Sequence, residues 1–402
     1  MKILVALSGG IDSSVVAHLL KEQGHELVGV RFTLWSDPLA PSIAQILPSK
    51  CCNTQTAARA RETAESLGIP YHIVDLESEF KEHVVDPFLD GYRKGLTPNP
   101  CIRCNREIKF GKLIELMKEF GCERLATGHY ARVAIESSDD ICVTLSEKRV
   151  SPSIHFCCGK NTQDDTLFVS KCERKQKRYL LLEAIDQSKD QSYYLYGLSQ
   201  EQLRHVMFPL GNMLKSDVYA LAKHFGVPHD EEYRESQDLC FFPEKSPEEF
   251  LKRYLSDDLH AGNIVRRDGS VVGTHKGLPL YTIGQRRGLG IGGLKIPLEV
   301  VAKNVDANEI VVAEKESEKI QSIELKDIRW VSWKPEENAD VEFECRVRSL
   351  SGRKSGHLKF HGNAGIFQFQ SPQPHVASGQ SLVFYRGEEV VGGGVMVDGI
   401  EN

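Results

Sequence analysis

The stretch KILVALSGGIDSSVVAHLL, residues 2–20, decides the fold. Residues 2–7 form a continuous apolar run of the kind buried on both faces of a parallel sheet. Over 13–23, Val15, Val16, Leu19 and Leu20 fall at helical spacing and Gly24 follows as a stop. Between them lies the turn SGGIDS, residues 8–13. A tight glycine turn from a buried strand into a helix lets backbone N–H groups approach a phosphate, and the helix N-terminus adds a partial positive charge. Ser8 and Ser13 supply hydroxyl donors, and Asp12 can hold Mg²⁺ or fix the turn. The position predicts a nucleotide. It is neither the NTPase loop GxxxxGK[ST], absent from the chain, nor the dinucleotide fingerprint GxGxxG. The competing reading is a βα turn with a Ser cap and no ligand.

Outward from this turn, strand and helix signals alternate through the first 130 residues, as in a parallel α/β sheet. Strands are predicted at 26–32 (ELVGVRF), 71–76 (YHIVDL) and from 124 (RLATGHYARV), with helical segments at 54–67 and 106–120. The rhythm lapses over 134–178, a polar stretch with the vicinal pair Cys157 and Cys158, ending in a basic cluster (Lys171, Arg174, Lys175, Lys177, Arg178). It reads as an inserted β-excursion. Helical signal returns at 199–206 and 216–225, the latter with Ser216 as its expected N-cap and Gly226-Val227-Pro228 as its stop. Beyond about Pro243 short strands sit between Gly-rich turns, and from about Glu318 β-propensity dominates, which predicts a small barrel. The expected division is 1–242 for a catalytic α/β domain, 243–316 for a central domain and 317–402 for a C-terminal β-barrel.

Composition sets the limits around this plan. The chain has 402 residues, 41% hydrophobic and 26% charged, with a net charge of −6, which suits two or three folded domains and excludes a disordered chain. No run approaches the roughly 18 apolar residues of a membrane span. The N-terminal apolar run is too short for a signal peptide, so the expected location is the cytoplasm, with no membrane partner. The 11 cysteines in a chain without an export signal read as mostly reduced thiols. Mild acidity predicts no general affinity for nucleic acid, yet net charge hides any local basic groove.

Two cysteine motifs carry chemistry. In TPNPCIRCN, 97–105, prolines stiffen the approach to a helix expected to start near Asn105, whose N-terminus would favour a thiolate on the preceding cysteine. Its C-x-x-C pair supports half a zinc site, a redox dithiol or iron–sulfur ligation, and no second pair follows at zinc spacing. ESQDLCFF, 235–242, places a lone Cys240 at the end of the α/β region. Activating a carbonyl oxygen as an adenylate makes it a leaving group, and a thiol or persulfide is then the natural nucleophile.

SGGxDS resembles the pyrophosphate loop (PP-loop) of enzymes that cleave ATP between its α- and β-phosphates, including GMP synthetase, argininosuccinate synthase and several tRNA-sulfurating enzymes. With TPNPCIRCN, TGHYAR (127–132), KDQSYYL (189–195), SQDLCF, GLPLYTIGQRRGLGIGG (277–293) and GQSLVFYRGEEVVGGGV (379–395) in order, the chain resembles the tRNA 2-thiouridylase family. The resemblance implies an adenine-nucleotide α-hydrolase-like sheet domain, a central tRNA-binding domain and a C-terminal barrel. It implies ATP and Mg²⁺, a tRNA with its wobble uridine as substrate, and a cysteine desulfurase or sulfur-relay protein as donor. Cys104 matches the catalytic cysteine and Cys240 the persulfide carrier, with Asp12 in the loop. ATP is implied against Ala6, Leu7, Ser8, Gly9, Gly10, Ile11, Asp12, Ser13, Phe32 and Gly128. Asn99, Pro100 and Cys101 match the segment facing the target base; Lys189, Asp190, Gln191, His129 and Gln380 match further tRNA contacts.

The chain departs from the family twice. Best-known members carry Asp at the place of Cys101, so three thiolates, Cys101, Cys104 and Cys240, suit a [4Fe–4S] cluster with one open iron as an alternative sulfur carrier. A basic-aromatic tRNA contact is replaced by Leu350 and Ser351, leaving Arg346, Arg348, Arg353 and Lys354 to meet phosphates. A barrel with scattered cations can grip folded RNA by shape while one unstacked base enters the active site. Two other readings remain open on the residues: another ATP pyrophosphatase with a small substrate, and a non-catalytic RNA-binding protein with a structural zinc.

Overall fold

The computed structural model describes residues 1–41, 54–136, 177–228, 239–292, 296–314 and 319–400. The expected features at Cys157, Cys158, Lys171, Arg174 and Lys175 lie outside the described residues. The N-terminal part runs β1 (Lys2–Ala6), α1 (Ile11–Glu22), β2 (Glu26–Thr33), α2 (Thr54–Leu67), β3 (Tyr71–Asp75), α3 (Glu77–Phe80), α4 (Asp86–Arg93), α5 (Pro100–Arg103), α6 (Phe110–Glu119), β4 (Arg124–Ala126), β5 (Arg132–Glu136), β6 (Arg178–Leu182), α7 (Gln200–His205), β7 (Val206–Met207) and α8 (Lys215–His224). Five parallel strands order as β3-β2-β1-β4-β7, with Leu4 opposite Val28 and Val5 opposite both Gly29 and Ala126. Alternate residues of β1 face opposite cores. Ile3 and Val5 pack with α1, α2 and α8, and Leu4 packs with α6, so the run must be apolar throughout.

After α9 (Glu248–Tyr254), β8 (Gly262–Arg266), β9 (Val271–His275), β10 (Leu298–Asn304) and β11 (Glu309–Glu314) make a separate four-stranded sheet. Then β12 (Ile320–Trp330), β13 (Asp340–Arg346), β14 (Lys354–His361), β15 (Ala364–Gln373), β16 (Ser381–Arg386) and β17 (Glu389–Ile400) form a barrel, closed by pairing of β12 with both β15 and β17. Alternation along β14, whose buried positions are Gly356, Leu358 and Phe360, fills its interior. Among the described residues no helix is long and apolar enough to cross a membrane.

Two local features differ from the sequence expectation, and a third extends it. The helix before α6 begins at Pro100 rather than near Asn105: Asn99 caps it, accepting a hydrogen bond from Cys101 N at 3.2 Å, and a π-helical segment over 104–109 joins α5 to α6. Helix α8 starts at Lys215 without a cap from Ser216; its first N–H donates to the Asp186 carboxylate at 2.9 Å, a tertiary cap that local spacing does not reveal. The strands that flank the insertion, β5 and β6, pair antiparallel, and β6 continues onto β17. The base of the excursion is therefore an extension of the barrel sheet.

Candidate active site

The phosphate end is built from contiguous sequence. Helix α1 has no side-chain cap at Gly10, which leaves first-turn N–H groups available to an anion. Gly9 adopts φ +78°, and a Cβ there would lie 1.9 Å from the Thr56 carbonyl oxygen, so the turn admits only glycine. Arg31, buried on β2, holds the turn from beneath, donating to the Ser8 carbonyl at 2.6 Å and to Thr56 Oγ1 at 3.1 Å. The Ser8 and Ser13 hydroxyls lie 3.2 Å apart. Gly128, after β4, comes against Asp12 and Ser13, where a Cβ would sit 3.1 Å from their atoms. Phe32 lies near the C-terminal end of β2, packed between the cluster of Leu4, Val28 and Phe110 and the cluster that contains Cys104.

Asp12 faces inward to partners that the sequence reading did not single out. Lys215 Nζ donates to its Oδ1 at 2.7 Å and Tyr130 Oη at 3.0 Å. The Lys215 ammonium also stands over the rings of Tyr130 and Tyr219, at 5.4 and 5.0 Å. Its side chain is 8% exposed. A buried lysine beside an uncapped helix N-terminus sets a second positive element where phosphates would lie. A Lys on the first turn of an otherwise amphipathic helix carries no distinguishing signal in one sequence.

The thiol end is assembled from distant segments. Cys104 is 5% exposed, in a buried cluster with Phe80, Phe88, Tyr92, Phe241, Phe242 and Phe250, and half-buried Cys240 packs against that same cluster. Asp37 fixes the Cys240 turn: its N–H donates to the Phe241 carbonyl at 3.0 Å, while its carboxylate receives Arg253 and Tyr254 of α9. Half-buried Cys101 sits in the first helical turn and Cys104 a turn further in, so the helix N-terminus acts on Cys101, not on Cys104 as expected. Among the described residues no group of three or more Cys, His, Asp or Glu side chains is arranged to hold a metal ion. Neither Cys101, Cys104 and Cys240 together nor the C-x-x-C pair falls in such a group among the described residues. Cys122 and Cys345 are buried elsewhere, and burial pushes both thiols up.

With this geometry in view, comparison with known proteins is decisive. Residues 1–244 match the family described as tRNA methyl transferase HUP domain, 248–314 its PRC-barrel domain and 320–396 the aminomethyltransferase beta-barrel domain. The chain is 37% identical over 396 residues to tRNA-specific 2-thiouridylase MnmA 1 of Caldanaerobacter subterraneus subsp. tengcongensis, covering 98% of this chain and 97% of that one. It is 38% identical to the MnmA of Geobacter metallireducens, covering 98% and 96%, and 38% identical to that of Roseiflexus sp., covering 98% of each. The chain belongs to the tRNA-specific 2-thiouridylase family.

Several positions that the family resemblance assigns to tRNA are engaged within the protein. Asp190 is buried; its carboxylate receives the N–H groups of Ala184 and Ser192, the Ser192 hydroxyl, and Arg346 at 3.4 Å. Gln191 braces the TGHYAR loop, its N–H donating to the Tyr130 carbonyl and its side chain accepting from Tyr130 N. Arg346 and Arg353 do not face solvent phosphates: both pair with buried Glu183 and lie over the Tyr385 ring at 5.2 and 4.6 Å. Arg348 and Lys354 are exposed, and Lys189 is half-buried. His129, between Phe110 and Phe208 with Nδ1 2.7 Å from Thr127 Oγ1, is pushed down to about 3, by burial first and the Lys109 charge second. It is a neutral ring.

Proposed function

We propose that this chain converts the wobble uridine (U34) of tRNA to 2-thiouridine, consuming ATP and releasing AMP and pyrophosphate. The observation that carries the reading is the union, in one domain, of an uncapped PP-loop helix and a single buried cluster that contains Cys104 and against which Cys240 packs. The α1 N-terminus and Lys215 hold the pyrophosphate portion and draw off its charge as it leaves. Mg²⁺ arriving on the phosphates would need few protein ligands, and Asp12 of the loop would supply one and help neutralise the leaving charge.

The uridine O2 attacks the α-phosphorus of ATP, forming an O–P bond as the bond to pyrophosphate breaks. The terminal sulfur of a Cys240 persulfide then attacks C2 and expels AMP. Cys104 thiolate attacks the Cys240 sulfur; the S–S bond breaks toward the base, leaving 2-thiouridine and a Cys104–Cys240 disulfide that an external dithiol reduces. The two thiols packed against one cluster suit this exchange. A cysteine desulfurase or relay protein supplies the persulfide, and the reaction belongs in the cytoplasm. Mass spectrometry of nucleosides from unmodified tRNA, incubated anaerobically with protein, ATP, Mg²⁺, a dithiol, and a cysteine desulfurase with L-cysteine as persulfide donor, tests this. ATP-dependent 2-thiouridine is expected; pyrophosphate release without thiolation overturns the assignment.

A further inference from the structure

The C-terminal barrel reaches the cysteine-bearing helix through four consecutive residues, Ser378 to Ser381. One arm acts before the helix. Thr97 N donates to the Ser378 carbonyl at 2.7 Å, and Gln380 Nε2 donates to the Thr97 carbonyl at 2.7 Å. Gly379, at φ +92°, lies so close to this segment that a Cβ would sit 3.1 Å from Leu96 and Thr97. The turn is itself tied into β17, since Gly379 N donates to the Met396 carbonyl and Met396 N to the Gln380 carbonyl. The second arm acts after the first helical turn. Ser381 accepts Tyr193 Oη on its carbonyl at 2.8 Å, and its hydroxyl lies 3.1 Å from Tyr196 Oη. Between those tyrosines, the Tyr194 carbonyl receives Asn105 Nδ2 at 3.1 Å. Thr97 and Asn105 flank the segment that carries Cys101 and Cys104.

We infer that Ser378–Ser381 is a bracket that sets the position of the Cys101–Cys104 helix, with Gln380 as its positioning residue. The inference rests on the thiolation reading for its kinetic consequence, not for its geometry. Gln380 spends its amide on a backbone carbonyl of the protein, so its first effect is on the placement of the thiols and not on affinity for RNA. A helix of four residues that opens into a π segment is short of its own restraint, and external hydrogen bonds at both ends supply it. A displacement of about 1 Å at a reacting group can lower a rate on the order of 10²-fold.

The test uses the full-length chain with Gln380→Glu, which keeps size and removes the donor, and with Gln380→Ala. The expected result is a fall in thiolation kcat of about tenfold to 10²-fold, with the KM and Kd for tRNA within about twofold of wild type. Iodoacetamide alkylation of Cys104, measured without ATP or tRNA, should speed up in both variants while the thermal midpoint stays near wild type. Raised KM for tRNA with unchanged kcat and unchanged alkylation would make Gln380 an RNA contact and overturn the bracket. The alkylation readout needs no turnover, so a wild-type protein that fails to thiolate tRNA refutes the functional reading and leaves this inference standing or falling alone.

Discussion

The two halves of the site are made differently. The phosphate half is centred on one strand–turn–helix, whose Gly9 turn and open helix end are contiguous in sequence, with Arg31, Thr56, Gly128, Tyr130 and Lys215 brought to it from afar. The thiol half draws Cys104, Cys240, the Asp37 turn and α9 from four segments, and the barrel brackets its helix from outside. Chemistry that needs backbone N–H groups can be written into a short motif. Chemistry that needs two thiols to meet requires a whole fold.

That contrast is sharpened most by Lys215→Met. Removing the ammonium takes a positive element from the departing pyrophosphate, so pyrophosphate release and thiolation should fall together by about 10²–10³-fold. Equal loss in both products marks the phosphate half; a loss confined to thiolation would show that the halves are not separable in this way. A smaller effect is expected from Gly9→Ala. The left-handed backbone alone costs about 1–3 kcal/mol, and the Thr56 carbonyl blocks the added methyl, so the thermal midpoint should drop and ATP chemistry with it.

The smallest effect concerns pH. His129 holds its proton far more weakly in the folded chain, about 3, than in the unfolded one, 6.5. The unfolded state therefore binds more protons in that window, and this contribution is whole above 6.5 and lost as pH falls toward 3. Thermal midpoints should decline less steeply below pH 6.5 in His129→Phe than in wild type. Parallel slopes would contradict the enclosed neutral ring.

The sequence displays the first half of this architecture clearly, because a buried parallel strand must be apolar throughout and a phosphate turn must carry glycine at Gly9. It also displays Cys104 and Cys240 as candidates. It is silent on Lys215 and Arg31, whose roles depend on tertiary approach, whereas the start of the cysteine helix is written locally in the Asn99 cap and the first-turn Pro100. Motif matching names Asp190 and Gln380 for tRNA contact without showing where their side chains point. Asp190 is held by its near neighbour Ser192 and by Arg346 from the barrel, and Gln380 by Thr97, so two of the three partners come from segments far apart in sequence.

The most direct measurement is parallel quantification of pyrophosphate and 2-thiouridine for Cys240→Ser acting on unmodified tRNA with a persulfide donor. The account predicts that pyrophosphate continues to form in a tRNA-dependent way while 2-thiouridine disappears. Thiolation at the wild-type level in that variant would contradict it.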